Sequence, residues 1–220
     1  MKDLIALLVF GIVVAMLPLF VSSGFVLNIV IMTLYAALLG QAWNILGGFG
    51  GQFSFGHAVF FGTGAYAAAV LQVKFGWNAW AALPAAVALG AAVGAFVGAL
   101  SFRYGLRGSY FALVTLAFAE VFRILSNTFE FTGAGVGLMI PLTESAANFQ
   151  FTSRTGFLYV ILGFTLAACA VTWWLKHSRC GAWLQAVRDN EESAAALGVN
   201  VFRVKLGAIM ISGALMSAGG

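Results

Sequence analysis

Two ionisable residues, Glu120 and Arg123, lie inside the long apolar stretch LVTLAFAEVFRIL. Their spacing of three places both side chains on one face of a helix, where they can pair. Glu120 falls about 17 Å along such a helix from Ser109, which is near the middle of a membrane. A lone charge at that depth costs about 2.5–3.5 kcal/mol on insertion scales. The pattern indicates either a charged element of a pathway or a pair that neutralises itself, and the sequence leaves both open.

A glycine-rich stretch, Gly47–Gly51, precedes three hydrogen-bonding residues, Gln52, Ser54 and His57. Irregular backbone of this kind is tolerated at membrane depth only where protein or a water-filled cavity surrounds it. We interpret it either as a turn of small residues that serves packing or as a broken element that lines a substrate path. It is not a nucleotide loop, because no Lys-Ser or Lys-Thr completes a G-x-x-x-x-G-K-S/T pattern. The candidate pathway residues are Gln52, Ser54, His57, Glu120 and Arg123.

No arrangement of residues typical of a catalytic or metal site occurs in the sequence. It has no HExxH helix, no GxSxG nucleophile elbow and no Cys–His spacing of a zinc site. The two cysteines, Cys169 and Cys180, do not form a disulfide framework and are expected to be unpaired packing residues. We therefore expect that the protein is not an enzyme and that it binds no metal ion and no cofactor of its own.

The composition indicates a membrane protein. Of the 220 residues, 62% are hydrophobic and only 8% are charged, and the mean hydropathy is +0.99. A helix needs about 20 largely apolar residues to cross a bilayer, so the sequence predicts an all-α fold, a polytopic bundle of transmembrane helices in one domain, residues 1–220. The last apolar stretch is still apolar at Gly220, and we expect the domain to be incomplete at its C-terminus. The stretches are Leu4–Val21, Phe25–Leu46, Gln52–Leu71, Ala79–Phe102, Ser109–Leu125, Gly156–Leu175 and one that begins near Leu206.

Small residues recur every four positions within the fourth apolar stretch, at Ala82, Ala86, Gly90, Gly94 and Gly98. This spacing places them on one face of a helix. A face of small residues lets another helix approach closely, and such packing drives helix association in lipid. We expect Gly90, Gly94 and Gly98 to serve helix packing rather than ligand binding.

Basic residues mark the ends of the apolar stretches and predict the orientation. Arg103 and Arg107 lie in one short connection, and five further basic residues lie between Lys176 and Lys205. Lys and Arg favour the cytoplasmic side of a membrane, so both connections and the N-terminus are predicted to be cytoplasmic and residues 127–155 external. Gly47–Gly51 has no charge that fixes its side. The formal net charge of +4 belongs largely to these helix ends, and no nucleic-acid partner is expected.

The longest polar stretch, Ala182–Lys205, lies in a predicted cytoplasmic loop of about residues 177–205. Apolar positions at steps of four and three, followed by Gly198 as a left-handed cap, predict one amphipathic helix of about four turns. That helix face consists of Trp183, Val187, Asn190, Ala194 and Leu197. Clustered acids fit poorly on an anionic inner leaflet, so we expect a protein partner here. The candidate docking residues are Ala186, Val187, Arg188, Asp189, Asn190, Glu191, Glu192, Ala194 and Gly198.

Four blocks of the chain together carry a specific pattern. They are GGFGGQFSFGHAVFFGTGAY (Gly47–Tyr66), RGSYFALVTLAFAEVFR (Arg107–Arg123), TGAGVGL (Thr132–Leu138) and AVRDNEESAAALGVNVFRVKL (Ala186–Leu206). In this order they resemble the branched-chain amino acid permease family of ABC transporters, and most of all its LivM-type inner-membrane subunit. Glu192-Ser193-Ala194 followed by Gly198 also resembles the EAA-x3-G loop of importer permeases, although Ser replaces the second residue and the usual Ile-x-Leu-Pro is absent.

This resemblance implies an ATP-driven importer in the bacterial cell inner membrane, whose permease alternates between outward-open and inward-open states. It implies two cytoplasmic ATP-binding subunits that hold ATP and Mg, a second homologous permease subunit and an external, periplasmic amino-acid-binding protein, with membrane lipid around the bundle. The segment Ala186–Gly198 would be the coupling helix that docks on the ATPases. The substrates implied are hydrophobic amino acids such as leucine, isoleucine and valine.

Two alternatives stay open at this point. Urea and short-amide permeases share much of the same pattern, so the substrate is not fixed by it. A protein of a different class, an ATP-independent channel or secondary transporter, would use Glu120 and Arg123 as charge carriers and would transport without ATPases.

Overall fold

The computed structural model of the chain describes residues 2–21, 23–142 and 145–220. Within these ranges the protein has no β-strand, and seven of its helices are long and apolar enough to cross a membrane. The all-α polytopic bundle predicted from the sequence is therefore confirmed. The helices are α1 (Lys2–Phe20), α2 (Gly24–Asn44), α3 (Ala58–Phe75), α4 (Ala79–Arg103), α5 (Gly108–Thr128), α6 (Arg154–His177), α7 (Arg179–Asp189), α8 (Glu191–Ala196) and α9 (Val201–Ala218). The short helices α7 and α8 lie between the spanning helices α6 and α9.

Two helix boundaries differ from the prediction. The third span becomes helical only at Ala58, because residues 52–57 have extended and turn backbone. The last span begins at Val201 rather than near Leu206, because the side chain of Asn200 accepts the backbone N–H of Arg203 at 3.0 Å and caps the helix. As a result, Lys205 lies inside α9 and not in the polar loop.

The small-residue face of α4 packs directly against α9. A Cβ added to Gly94 would lie 2.7 Å from the carbonyl oxygen of Ile209, and one added to Gly98 would lie 2.5 Å from the side chain of the same residue. At Gly90, an added Cβ would overlap the hydroxyl of Ser217. Glycine is thus required for this approach of two backbones, which maximises van der Waals contact between the helices. The partner of the small-residue face lies within the chain itself.

Helix α9 lies at the centre of the bundle, where it also contacts α2 and α3. The hydroxyl of Ser212 donates a hydrogen bond of 2.6 Å to the carbonyl oxygen of Ala42 in α2. The hydroxyl of Ser217 donates one of 2.7 Å to the carbonyl oxygen of Phe60 in α3. Hydrogen bonds between helices supplement packing in a bundle that has no hydrophobic driving force between its spans in lipid.

The connections between spans lie on two faces of the bundle. We call the face that carries α7 and α8 the α7–α8 face. The start of α1 lies on it too, because Asp3 forms an ion pair of 2.8 Å with Lys176 at the end of α6. The turn Gly47–Gly51 is on this face as well, since Arg188 Nη1 donates to the carbonyl oxygen of Gly48 at 3.1 Å. The side of this turn, which its sequence leaves open, is thereby assigned.

The opposite face is formed by the other ends of the spans. Arg154 donates to Asn28 at 2.7 Å, and the indole N–H of Trp80 donates to the carbonyl oxygen of Ala146 at 3.0 Å. Among the described side chains, the basic residues of the α7–α8 face and its adjoining helix ends are Arg103, Arg107, Lys176, Arg179, Arg188, Arg203 and Lys205, whereas those of the opposite face are Lys74 and Arg154.

Candidate functional site

The predicted docking helix is two helices rather than one. Helix α7 begins after Ser178, whose side chain accepts the N–H of Gly181 at 3.1 Å, and it ends at Asn190, which is extended with φ −159° and ψ 108°. The Asn190 side chain then accepts the N–H of Ser193 at 2.9 Å and so caps α8. The prediction of one four-turn helix was wrong, because Asn190 is extended and its side chain caps a second helix. Gly198 follows with φ +87°, in the left-handed conformation expected of it.

The exposed side chains of this segment differ from those predicted. Leu184, Val187 and Ala194 are buried against the bundle, as an amphipathic helix requires. Trp183 and Leu197, which the sequence placed on the same helix face as Val187 and Ala194, are instead 48% and 86% exposed. The segment therefore presents two large apolar side chains outward, and periodicity alone could not identify them.

The outer surface of the segment also carries charge. Arg188, Asp189 and Glu192 are exposed, and Arg188 Nε donates to Asp189 at 3.2 Å. At the start of α7, Cys180 is partly buried against the core, and this burial raises the pKa of its thiol. The cysteine is thus a packing residue, and the charged and apolar groups beyond it form the part of the segment that a partner could contact.

Glu191 is the centre of a cluster that holds α8 to the bundle. Its carboxylate forms an ion pair with Lys205 of α9 and a second with Arg107 Nε at 3.1 Å. Gln52 Nε2 donates a longer bond of 3.5 Å to the same carboxylate. The side chain of Lys205 is only 4% exposed and that of Glu191 15%. The carboxylate therefore neutralises an almost fully buried ammonium, which would be costly to bury without it.

Neither Arg107 nor Lys205 was among the candidate residues. One signal for Lys205 was available, because it lies in the apolar run VFRVKLGAIM, where a charge has to find a partner. The partner itself could not be found from the sequence, since Glu191 was named only as one of several candidate docking residues.

The glycine-rich turn packs beneath α7. The backbone of Ile45–Phe49 forms a single π-helical turn, and Gly51 has φ +64°. A Cβ added to Gly51 would lie 2.5 Å from Cγ of Arg188, so a side chain there would be both strained and in collision with α7. The turn thus serves as a close-packed contact between the α2–α3 connection and the docking segment.

The extended residues after this turn alternate between buried and exposed positions. Gln52, Ser54 and Gly56 point into the protein, whereas Phe53 and Phe55 are 54% and 66% exposed. This is the alternation of an extended chain, with its polar residues inward and its aromatic residues outward. Residues 52–56 can therefore lie next to lipid or apolar protein, because the polar side chains of Gln52 and Ser54 are buried inside the protein.

His57 connects three helices. Its Nε2 lies 2.8 Å from the hydroxyl of Ser212, which gives its own hydrogen to Ala42 of α2. Because that hydroxyl hydrogen is already used, Nε2 of His57 must carry the proton and donate it to the serine oxygen. His57 therefore links the start of α3 to α9 and, through Ser212, to α2, which is a packing role in a buried position.

The charged pair of α5, Glu120 and Arg123, lies apart from the buried residues Gln52, Ser54 and His57. Arg123 donates to both carboxylate oxygens of Glu120, with Nε 2.9 Å from Oε2. Both side chains line an elongated groove of about 820 Å³ between α3, α4 and α5. The structure therefore divides the five candidate pathway residues between two places, with Gln52, Ser54 and His57 buried in packing contacts and Glu120 and Arg123 open to a groove. In the described parts of the chain, no group of three or more His, Cys, Asp or Glu side chains could hold a metal ion.

The cluster around Glu191 joins distant parts of the sequence. Gln52 belongs to the first of the four blocks described above, Arg107 to the second, and Glu191 and Lys205 to the fourth. The residues that carry the family resemblance are thus brought into contact at the α7–α8 face.

Comparison with known proteins decides the family. The family described as "Branched-chain amino acid transport system / permease component" matches residues 25–220. The chain belongs to this permease family. The high-affinity branched-chain amino acid transport system permease protein LivM of Escherichia coli (strain K12) is 33% identical over 242 residues, which cover 99% of this chain and 55% of that protein. LivM of Salmonella typhimurium is 33% identical over 228 residues, which cover 92% and 53%.

A further relative of the permease has a different named substrate. The ribose import permease protein RbsC of Escherichia coli (strain K12) is 30% identical over 228 residues, which cover 100% of this chain and 67% of that protein. No solved structure matches the permease. The chain spans about half the length of the two LivM relatives. It is thus a multi-pass membrane protein of a transport family, and its substrate has to be argued separately.

Proposed function

We propose that this permease is the membrane-spanning subunit of an ATP-driven importer for branched-chain amino acids. The observation that carries the proposal is the match to the branched-chain permease family together with 33% identity to two LivM proteins. The permease alternates between outward-open and inward-open states, while ATP is hydrolysed on two partner subunits. A second homologous permease and an external amino-acid-binding protein complete the importer.

The α7–α8 face is proposed to be cytoplasmic, in the inner membrane of a bacterium. Its support is the charge distribution, since most of the basic residues outside the spans lie on this face. Lys and Arg near the ends of spans favour the cytoplasmic side. The similarity to the LivM permeases of Escherichia coli and Salmonella typhimurium supports the same location.

The segment α7–α8 is proposed to be the surface on which a partner ATPase docks. Its outer side offers Asp189 and Glu192 beside the exposed Trp183 and Leu197, a combination of apolar anchors and charges that suits a protein partner. Its inner side is fixed through Glu191 to α9, to Arg107 at the start of α5 and to Gln52 in the α2–α3 connection, so a displacement of the segment would reach the membrane bundle directly.

Reversing the two exposed acids tests this docking surface. We expect the double variant Asp189→Lys and Glu192→Lys to reduce the amount of ATPase that copurifies with the permease by about tenfold or more, because like charges placed across an interface cost several kcal/mol. The measurement is a pull-down in mild detergent of the complete importer from its native membrane, with quantification of the ATPase subunits.

A matched control is Glu130→Lys, which reverses an exposed acid on the opposite face and should leave the recovered ATPase unchanged. Recovery of the wild-type permease as a homo-oligomer without any ATPase would contradict the importer and favour the channel or secondary transporter. Uptake assays of the complete importer with leucine, ribose and urea separate the substrate classes, and we expect leucine to be taken up.

A further inference from the structure

The groove between α3, α4 and α5 has the properties of a small-molecule site. Its volume of about 820 Å³ falls within the range of about 300–1,000 Å³ typical of ligand pockets. Most of its wall is apolar, with Leu89, Leu116 and Phe122 contributed by α4 and α5. Its charged groups are Glu120 and Arg123, both on α5. An apolar wall with a few convergent polar groups is the usual composition of a binding site.

The charged pair indicates that this groove does not face lipid. The Glu120 and Arg123 side chains are 54% and 62% exposed. Ionised side chains within a span almost always face protein or a water-filled cavity, because exposure to hydrocarbon is costly. Pairing reduces the net charge to zero, but both charged heads still project into the groove, where the guanidinium has more N–H donors than its two bonds to Glu120 use.

A carboxylate and a guanidinium side by side complement a zwitterion. In an α-amino acid the ammonium and carboxylate groups are attached to one carbon atom, so they can contact two adjacent opposite charges at the same time. The ammonium would pair with Glu120 and the carboxylate with Arg123, while an apolar side chain would contact the wall at Leu116. We propose that this groove binds an apolar α-amino acid in its zwitterionic form. The proposal rests on the importer function proposed above and adds to it the place and chemistry of substrate binding.

The position of α5 connects this site to the docking segment. Arg107, the residue that precedes α5, forms the ion pair with Glu191 of α8. Glu120 lies twelve residues after the first residue of α5, a distance of about 18 Å at 1.5 Å per residue. A movement of α8 can therefore be transmitted along a single rigid helix to the residues that would hold the amino acid.

Exchanging the charges of Glu120 and Arg123 distinguishes a pair that binds the amino acid from a pair whose two charges only neutralise each other. The double variant Glu120→Arg with Arg123→Glu keeps an i,i+3 ion pair but reverses its direction relative to the apolar wall. We expect Glu120→Gln, Arg123→Gln and the exchanged pair each to lower leucine uptake by about tenfold or more. Each single variant removes one charged contact to the ligand, and the exchanged pair places each charge opposite the like charge of the ligand. The assay uses the complete importer in proteoliposomes, and recovery of the ATPase subunits with each variant checks assembly.

The matched control exchanges another exposed pair, Asp3→Lys with Lys176→Asp, and should leave uptake within about twofold of wild type because exposed pairs contribute little. Uptake restored to that level by the exchanged pair at 120 and 123 would show a purely structural pair and overturn the proposal. Single variants with unchanged uptake would also overturn it. A wild-type importer that hydrolyses ATP but takes up no leucine would overturn the proposed function and this inference together.

A second measurement leaves Glu120 and Arg123 unchanged, so it does not require that variants of these residues assemble into the importer. In the complete importer with Cys169 and Cys180 replaced by Ala, Leu116→Cys places a thiol in the groove, and Leu113→Cys places one on an exposed part of α5 outside it. We expect leucine to slow labelling by a membrane-permeant maleimide at position 116 and not at 113. Isocaproate and isoamylamine, which each lack one of the two charges, should protect less. Equal protection at both positions, or none at 116, would contradict binding in the groove.

Discussion

Replacing Glu191 by Ala is expected to destabilise the permease by about 3–5 kcal/mol, the cost of leaving a buried charge without its partner. The side chain of Lys205 is almost completely buried, and it forms an ion pair with the Glu191 carboxylate. Removing that carboxylate also leaves Arg107 without its contact to α8. The measurement is thermal unfolding of the purified permease complex in detergent, followed by uptake at a temperature where the variant is folded.

Two controls separate the charge from other effects of the substitution. Glu192→Ala changes the next residue, which is exposed, and should alter stability by less than about 0.5 kcal/mol. Adding Lys205→Met to Glu191→Ala removes both members of the buried pair and should recover most of the loss, because an apolar replacement of a buried pair is often neutral or stabilising. If Glu191→Ala alone were as stable as wild type, Lys205 would not depend on this carboxylate.

A methyl group at Gly64 is expected to separate α3 from α9. A Cβ at this position would overlap the carbonyl oxygen of Ser217, and backbone atoms cannot rotate away as a side chain can. The separation would also lengthen the hydrogen bond from the Ser217 hydroxyl to Phe60. Overpacking costs about 1–3 kcal/mol and occasionally more, and we expect Gly64→Ala to lie at the upper end of that range. The loss of stability is measured by thermal unfolding of the purified permease complex.

The same helix provides the control for this substitution. Gly62 has no atom within 4 Å of the position that a Cβ would take. Gly62→Ala should therefore be neutral or slightly stabilising, since Ala is favoured over Gly in a helix interior by about 1 kcal/mol. Similar losses of stability in both variants would mean that the effect comes from the backbone of α3 and not from its contact with α9.

The spanning helices could be predicted from the sequence because the bilayer imposes them. A stretch long enough to cross hydrocarbon must bond its own backbone groups, and a helix does so without help from other parts of the chain. The repeat of small residues from Ala82 to Gly98 predicted a packing face, because its four-residue spacing depends only on the helix that contains it. The identity of the partner helix, α9, came only from the structure. The boundaries at Ala58 and Val201 differ from prediction because hydropathy does not register caps or extended backbone.

The contacts of the candidate site could not be predicted, because each joins residues far apart in the sequence. Glu191 appeared to be one of several similar acids, and its role follows from its contacts with Arg107 and Lys205. Gln52 and His57 were grouped with Glu120 because all are polar residues in apolar surroundings, yet their environments differ. The break at Asn190 is local, but Asn occurs both in helix interiors and as a cap, so its sequence alone does not show that it caps a second helix.

The extended backbone at Asn190 divides the proposed docking segment into two helices, each with its own contacts to the bundle. Helix α7 contacts the α2–α3 connection through Arg188 and Gly48. Helix α8 contacts the same connection through Gln52, and through Glu191 it also contacts α5 and α9. A partner that shifted the whole segment would move both groups of spans together. A partner that rotated α8 against α7 about Asn190 would act on the contacts of Glu191 without an equal displacement of the contact between Arg188 and Gly48.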